Sequence, residues 1–172
     1  MPKKRGKIPM SIYGFKAFDN NMNNRYGLNF EEGKTYQTNS NVSFGYNSGD
    51  EVTGYHFCKN LEDTLRYVDG INDDIKIAEV IGSGNIATYD DDYYGYYDMY
   101  SAEIIDIVHI LTREEIINKV LYSRNENAIE RFINGFKLTD EEFERFKTEY
   151  ANSYRLQCFF NTKEKIKTLE LK

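Results

Sequence analysis

The period of the apolar residues changes once along this chain of 172 residues, and that change constrains the fold more than any motif does. Up to Leu111 the apolar residues alternate, or form β-branched and aromatic runs of strand length. From Thr112 onward they recur at three- and four-residue spacing behind two T-x-x-E sequences, Thr112-Arg113-Glu114-Glu115 and Thr139-Asp140-Glu141-Glu142. In that pattern the Thr hydroxyl and the Glu carboxylate reciprocally satisfy the free N–H groups that open a helix. Strands followed by helices predict an α+β fold: a mixed or antiparallel sheet with one short helix inside it, then a C-terminal helical segment.

Within the first part, residues 11–18 (SIYGFKAF) read as a strand, and Leu28–Tyr36 as a hairpin around Glu32-Gly33. Residues 37–50 are polar and rich in Gly, Asn and Ser, as surface loops are. Val52–Cys58 is a further strand. Asn60 then caps a short helix with Glu62 and Asp63 in its first turn, Leu61, Leu65 and Val68 on one face, and Gly70 at its end. Ile75–Ile81 and Asn85–Tyr89 read as two strands joined by a tight turn at Gly82-Ser83-Gly84, and Ser101–Leu111 as the longest β run. Helical spacing follows in Ile116, Ile117, Val120 and Leu121, in Ala128, Ile129, Phe132 and Ile133 up to Gly135, and in Phe143, Phe146 and Tyr150. Arg155–Phe160 and Thr168–Leu171 stay open between helix and a late strand.

No repeat or linker interrupts the pattern, so the expectation is one domain over 11–172 behind a disordered basic tail, residues 1–10, that holds both prolines. With 15 Tyr and 11 Phe the chain is too aromatic for a disordered one. Net charge is -6; the first seven residues contribute +4, so the rest carries -10. Such a body repels a phosphate backbone, which argues against direct nucleic-acid binding and for a basic protein surface as partner, including one on a nucleic-acid-binding protein. Two cysteines a hundred residues apart, Cys58 and Cys158, form neither a disulfide framework nor a zinc spacing and suit a reducing cytosol. No apolar run reaches the roughly 18 residues of a membrane helix, and none follows the basic start as in a signal peptide. The expectation is a soluble cytoplasmic protein with no membrane span, cofactor or metal.

Three segments are candidate sites. Residues 89–100, YDDDYYGYYDMY, place Asp90, Asp91, Asp92 and Asp98 among Tyr89, Tyr93, Tyr94, Tyr96, Tyr97 and Tyr100. Four close carboxylates repel one another and must face water or a cation, while Tyr supplies rigid contact area with a polar tip. The segment from Tyr89 to Asp98 is therefore the predicted partner-binding surface, against the plainer reading of a solvated hairpin loop. A calcium loop starting at Asp90 fails at its fifth and twelfth positions, Tyr94 and Ser101. In Tyr55-His56-Phe57-Cys58, alternation puts a base and a thiol on one face, but roughly 6.5–7 Å apart, so both read as structural residues and no catalytic residue is predicted. His109, inside an apolar run, reads as half-buried and structural. Gly82-Ser83-Gly84 lacks the helix and the Lys-Ser/Thr pair of a phosphate cradle.

Residues 12–117 resemble an uncharacterised domain common in bacteriophage and prophage genomes. The resemblance is carried by Tyr13-Gly14-Phe15-Lys16-Ala17-Phe18, Gly33-Lys34-Thr35-Tyr36, Gly54-Tyr55-His56-Phe57-Cys58-Lys59-Asn60, Ile77-Ala78-Glu79-Val80 and Ile110-Leu111-Thr112-Arg113-Glu114-Glu115-Ile116. It implies a small phage-type accessory protein of the bacterial cytoplasm that binds and inhibits a host protein, as inhibitors of CRISPR and other immune systems do. A second resemblance, of Val52–Phe57 and the helix with Leu65, Arg66 and Tyr67, is to ADP-ribosyltransferases of the poly-ADP-ribose polymerase type. It implies the alternative of an NAD-dependent enzyme, with Lys16 where the first strand offers His or Arg to the ribose. The chain lacks the matching Ser-x-Ser, and Glu79 or Glu103 would have to be the acid.

Overall fold

The computed structural model describes residues 10–24, 27–39, 42, 54–67, 75–89 and 99–171. The fold is α+β, with an antiparallel sheet before the helices. It divides into two compact units, one holding the described residues as far as Thr112 and the other those from Arg113 on.

The first unit is built from strands β1 (Ile12–Phe18), β2 (Thr35–Gln37), β3 (Tyr55–Cys58), β4 (Lys76–Tyr89) and β5 (Met99–Ile110), with a 3-10 helix at Leu61–Tyr67. All pairings are antiparallel, in the order β2-β5-β3-β1-β4, and β4 pairs with β5 as well. The sheet thus closes on itself through β3, β1, β4 and β5, which leaves these strands few open edges. Alternation sends Phe18, Phe57, Ala78, Val80, Ala102, Ile105 and Ile107 to one buried cluster, joined by Phe30. Two glycines make room for its central ring. A Cβ on Gly82 would lie 2.4 Å from the ring of Phe57; one on Gly14 would lie 2.8 Å from that ring and 2.3 Å from the carbonyl oxygen of Cys58.

Two local expectations are corrected here. Gly82-Ser83-Gly84 is no turn between two strands but an irregular stretch inside the single strand β4, where the register against β5 shifts between Ser83 and Ile86. Gly84 takes φ +76°, and the Glu103 carboxylate accepts the backbone N–H of Asn85 at 3.0 Å and its side-chain amide at 2.8 Å, which holds the bulge. The Glu32-Gly33 turn forms, with Gly33 at φ +78° and the Lys34 N–H donating to the Glu31 carbonyl at 3.3 Å, but it does not close a hairpin. The chain beyond it pairs with β5 instead: Gly33 donates to Ile107 at 2.7 Å and Ile107 to Lys34 at 3.0 Å. The short helix expected after Asn60 forms, as a 3-10 helix. Asn60 donates to the Asp63 carboxylate at 3.1 Å, and the Thr64 hydroxyl to the Leu61 carbonyl at 2.6 Å.

The second unit consists of α1 (Arg113–Leu121), α2 (Glu126–Gly135), α3 (Asp140–Glu149) and α4 (Tyr154–Glu170). Ile116, Ile117, Val120 and Leu121 of α1, Ala128, Ile129 and Phe132 of α2, Phe146 of α3 and Leu156 and Phe160 of α4 are buried. Side chains cap three of the helices. Asn125 accepts from Ala128 at 3.2 Å, Ser153 from Leu156 at 3.2 Å, and Thr139 from Glu142 at 3.2 Å, while Glu142 accepts from the Thr139 N–H at 2.8 Å. The reciprocal box expected at Thr139 is therefore complete. The expected ambiguity beyond Arg155 resolves to one helix. Only two positions of α4, Leu156 and Phe160, are buried, so its apolar stripe is too thin to show a period.

Candidate functional site

Strand β3 is positioned by the ring. It pairs with β5 from Tyr55↔Ala102 to Cys58↔Met99, and on its other side meets β1 at Phe15↔Cys58. Tyr55 and Phe57 turn to the core cluster: the Tyr55 ring stands edge-on to Phe30 at 6.1 Å, and Phe57 lies 5.3 Å from Tyr100. Cys58 is buried and in no disulfide, and His56 is half-buried with its Nε2 buried.

What the strand gathers is not a His–Cys dyad but a lysine. Lys16 lies on β1 between Gly14 and Phe18, on the inward side of the alternation. Its Nζ donates to the carbonyl oxygen of His56 at 2.6 Å and lies 5.7 Å and 6.0 Å from the ring centres of Phe18 and Phe30. Among the described residues no carboxylate pairs with it. The residue as a whole is only half-buried, but the ammonium end is the buried part. Removal from water therefore pulls the amine down to about 8, partly opposed by the Cys58 thiol. Tyr55 is raised by the same burial and by Tyr36. The sequence singles out Lys16 only through its likeness to a ribose-binding position. The signal for its buried charge is a lone Lys in phase with Ile12, Gly14 and Phe18.

Of the predicted partner-binding residues, Asp90, Asp91, Asp92, Tyr93, Tyr94, Tyr96, Tyr97 and Asp98 lie outside the described residues. The strands that lead to them are described. Tyr89 ends β4 opposite Met99, which begins β5. Tyr100, the last aromatic of the segment, is half-buried and packs on Phe57.

The acidic groups of β5 make local polar contacts. Asp106 accepts from Thr35 at 2.5 Å, and Glu103 is held below the usual carboxylate range by the Asn85 amides and Gln37. His109, partly exposed, brings Nδ1 to 3.3 Å from Glu32, whose carboxylate also accepts the Ile110 N–H at 2.6 Å. Among the described residues no group of three or more His, Cys, Asp and Glu is placed to hold a metal ion, and no helix is long and apolar enough to cross a membrane.

No curated protein and no solved structure matches the chain. A family model does, over residues 12–119, which takes in every strand of the closed sheet and most of α1. The chain belongs to the family described as Domain of unknown function (DUF7666).

Proposed function

We propose that this protein is a phage-type accessory protein of the bacterial cytoplasm that binds a basic surface on a host protein and inhibits it, with residues 89–98 as the contact segment. The observation that carries the reading is the stem of that segment. The β4–β5 ladder runs from Ala78↔Ile110 to Tyr89↔Met99, and the stretch of sequence that joins its ends, from Tyr89 to Asp98, carries four Asp and five Tyr. Clustered charge of one sign steers an oppositely charged partner and raises the association rate, and aromatic anchors slow dissociation. A net charge of -6 points the same way.

The test begins with a tagged chain in bacterial lysate, identification of the captured protein, and its purification. Association of the triple variant Asp90→Asn, Asp91→Asn, Asp92→Asn is then followed at two salt concentrations. The expected outcome is slower association with a weaker salt dependence. Truncating one of Tyr93, Tyr94, Tyr96 or Tyr97 is expected to cost roughly 2 kcal/mol or more, mainly in dissociation. Wild-type association by the Asn variant would remove the segment from the contact.

A further inference from the structure

The closed sheet has one weak joint. The β1–β4 ladder runs unbroken from Ile12↔Gly82 to Phe18↔Lys76, and β3–β5 from Tyr55↔Ala102 to Cys58↔Met99, whereas among the described residues β1 and β3 share Phe15↔Cys58 alone. Continued by two residues, an antiparallel ladder would set Ala17 against His56. It does not continue, and the His56 carbonyl accepts from the side chain of Lys16 instead. A charged amine thus stands in for a backbone bond at the point where the ring closes. It sits between two phenyl rings, and no described carboxylate is paired with it.

We propose that β1 and β3 part at this seam in the native protein and that hydration of the Lys16 ammonium drives the parting, so that proton binding opens the seam and proton loss closes it. The ordinary value for the amine is 10.5, and in the closed sheet it is about 8. The open, hydrated state therefore binds the proton more tightly than the closed one. As pH falls from 10.5 to 8, opening becomes steadily more favourable; below 8 both states carry the proton and the effect levels off. The full span allows an increase of at most roughly 300-fold in the opening constant.

Other titratable or charged groups stand on the elements packed around Lys16. Those whose side chains are described are Tyr55, His56 and Cys58 of β3, Tyr13 of β1, Lys76 and Glu79 of β4, and Glu62 and Asp63 of the 3-10 helix, with Tyr36 of β2 packed against the same core cluster. Burial and the hydrogen bond to Glu79 raise Tyr13, and burial raises Tyr55. Removing the Lys16 amine isolates its effect from the rest.

Cys58 reports the opening directly, because it is the β3 half of the one seam pair and is buried when the seam is closed. Cys158 is exposed and is removed as Cys158→Ser. Labelling of Cys58 by methyl methanethiosulfonate is followed from pH 7.5 to 10 and divided by the rate for an unstructured cysteine peptide, which corrects for thiolate content. The expected result is a normalised rate that falls tenfold or more as pH rises and changes little in 1 M urea, as a local opening does. Lys16→Met is expected to flatten the profile. Lys16→Gln serves equally if the Met variant does not fold. A flat wild-type profile, the same fall in the Lys16 variants, or the steep urea dependence of whole-unit unfolding would each overturn the proposal.

Discussion

At the scale of single residues, the first unit is organised by the space around Phe57. Its ring lies over two positions on neighbouring strands that carry no side chain, Gly14 and Gly82, and the two are not equivalent. The nearest atoms to a Cβ on Gly82 belong to the Phe57 ring and the Ala102 methyl, all side chain. Gly82→Ala is expected to cost about 1–3 kcal/mol by overpacking, and Phe57→Leu in the same chain to recover part of that loss. On Gly14 the nearest atom is the Cys58 carbonyl oxygen, which is backbone and belongs to the seam. Gly14→Ala is expected to cost at least as much and to gain less from Phe57→Leu, because the backbone clash remains. Denaturant midpoints of the two single and two double variants check this. Equal rescue at both positions would mean that β3, not the ring, gives way.

At the scale of elements, what could be read from the sequence follows how local the determining interaction is. The α3 start was legible because the reciprocal bonds of Thr139 and Glu142 are made within four residues. Glu142 also receives two hydrogen bonds from Arg113, at 2.7 Å each. Those bonds, with the Thr139 N–H, hold its carboxyl below the usual range. A carboxylate lowered on folding stabilises the protein above its unfolded value, and that contribution is lost as pH falls through the folded value. Thr139→Ala is expected to cost about 1 kcal/mol at neutral pH. Glu142→Gln is expected to lower stability at neutral pH but to make the acid limb shallower, read from melting temperatures between pH 3 and 7.

The misread elements depend on partners far along the chain. Gly82-Ser83-Gly84 has the composition of a turn, and only the Glu103 carboxylate across the ladder makes it a bulge. The segment after Gly33 reads as half of a hairpin, and only β5 draws it away. The same rule covers the candidate site: His56 and Cys58 are conspicuous by type, but what gives β3 its chemistry is a lysine forty residues earlier.

At the scale of the whole molecule, two descriptions of its parts nearly coincide. The family model ends at residue 119, inside α1, and the boundary between compact units falls at Thr112–Arg113. The first unit has a buried cluster around Phe57, Ile105 and Val80, and the second buries Ile117, Phe132 and Phe160. Each unit therefore has the requirement for cooperative unfolding of its own. The expected outcome of a denaturant titration is two transitions, one sensed by β-sheet circular dichroism near 215 nm and one by the helical signal at 222 nm. Variants assign them. Gly82→Ala is expected to move the sheet transition and leave the helical one in place, and Thr139→Ala to do the reverse, because each acts inside one unit only. A single transition that both variants shift alike would instead show that the units unfold as one, and that the family boundary inside α1 marks sequence relationship rather than an independent folding unit.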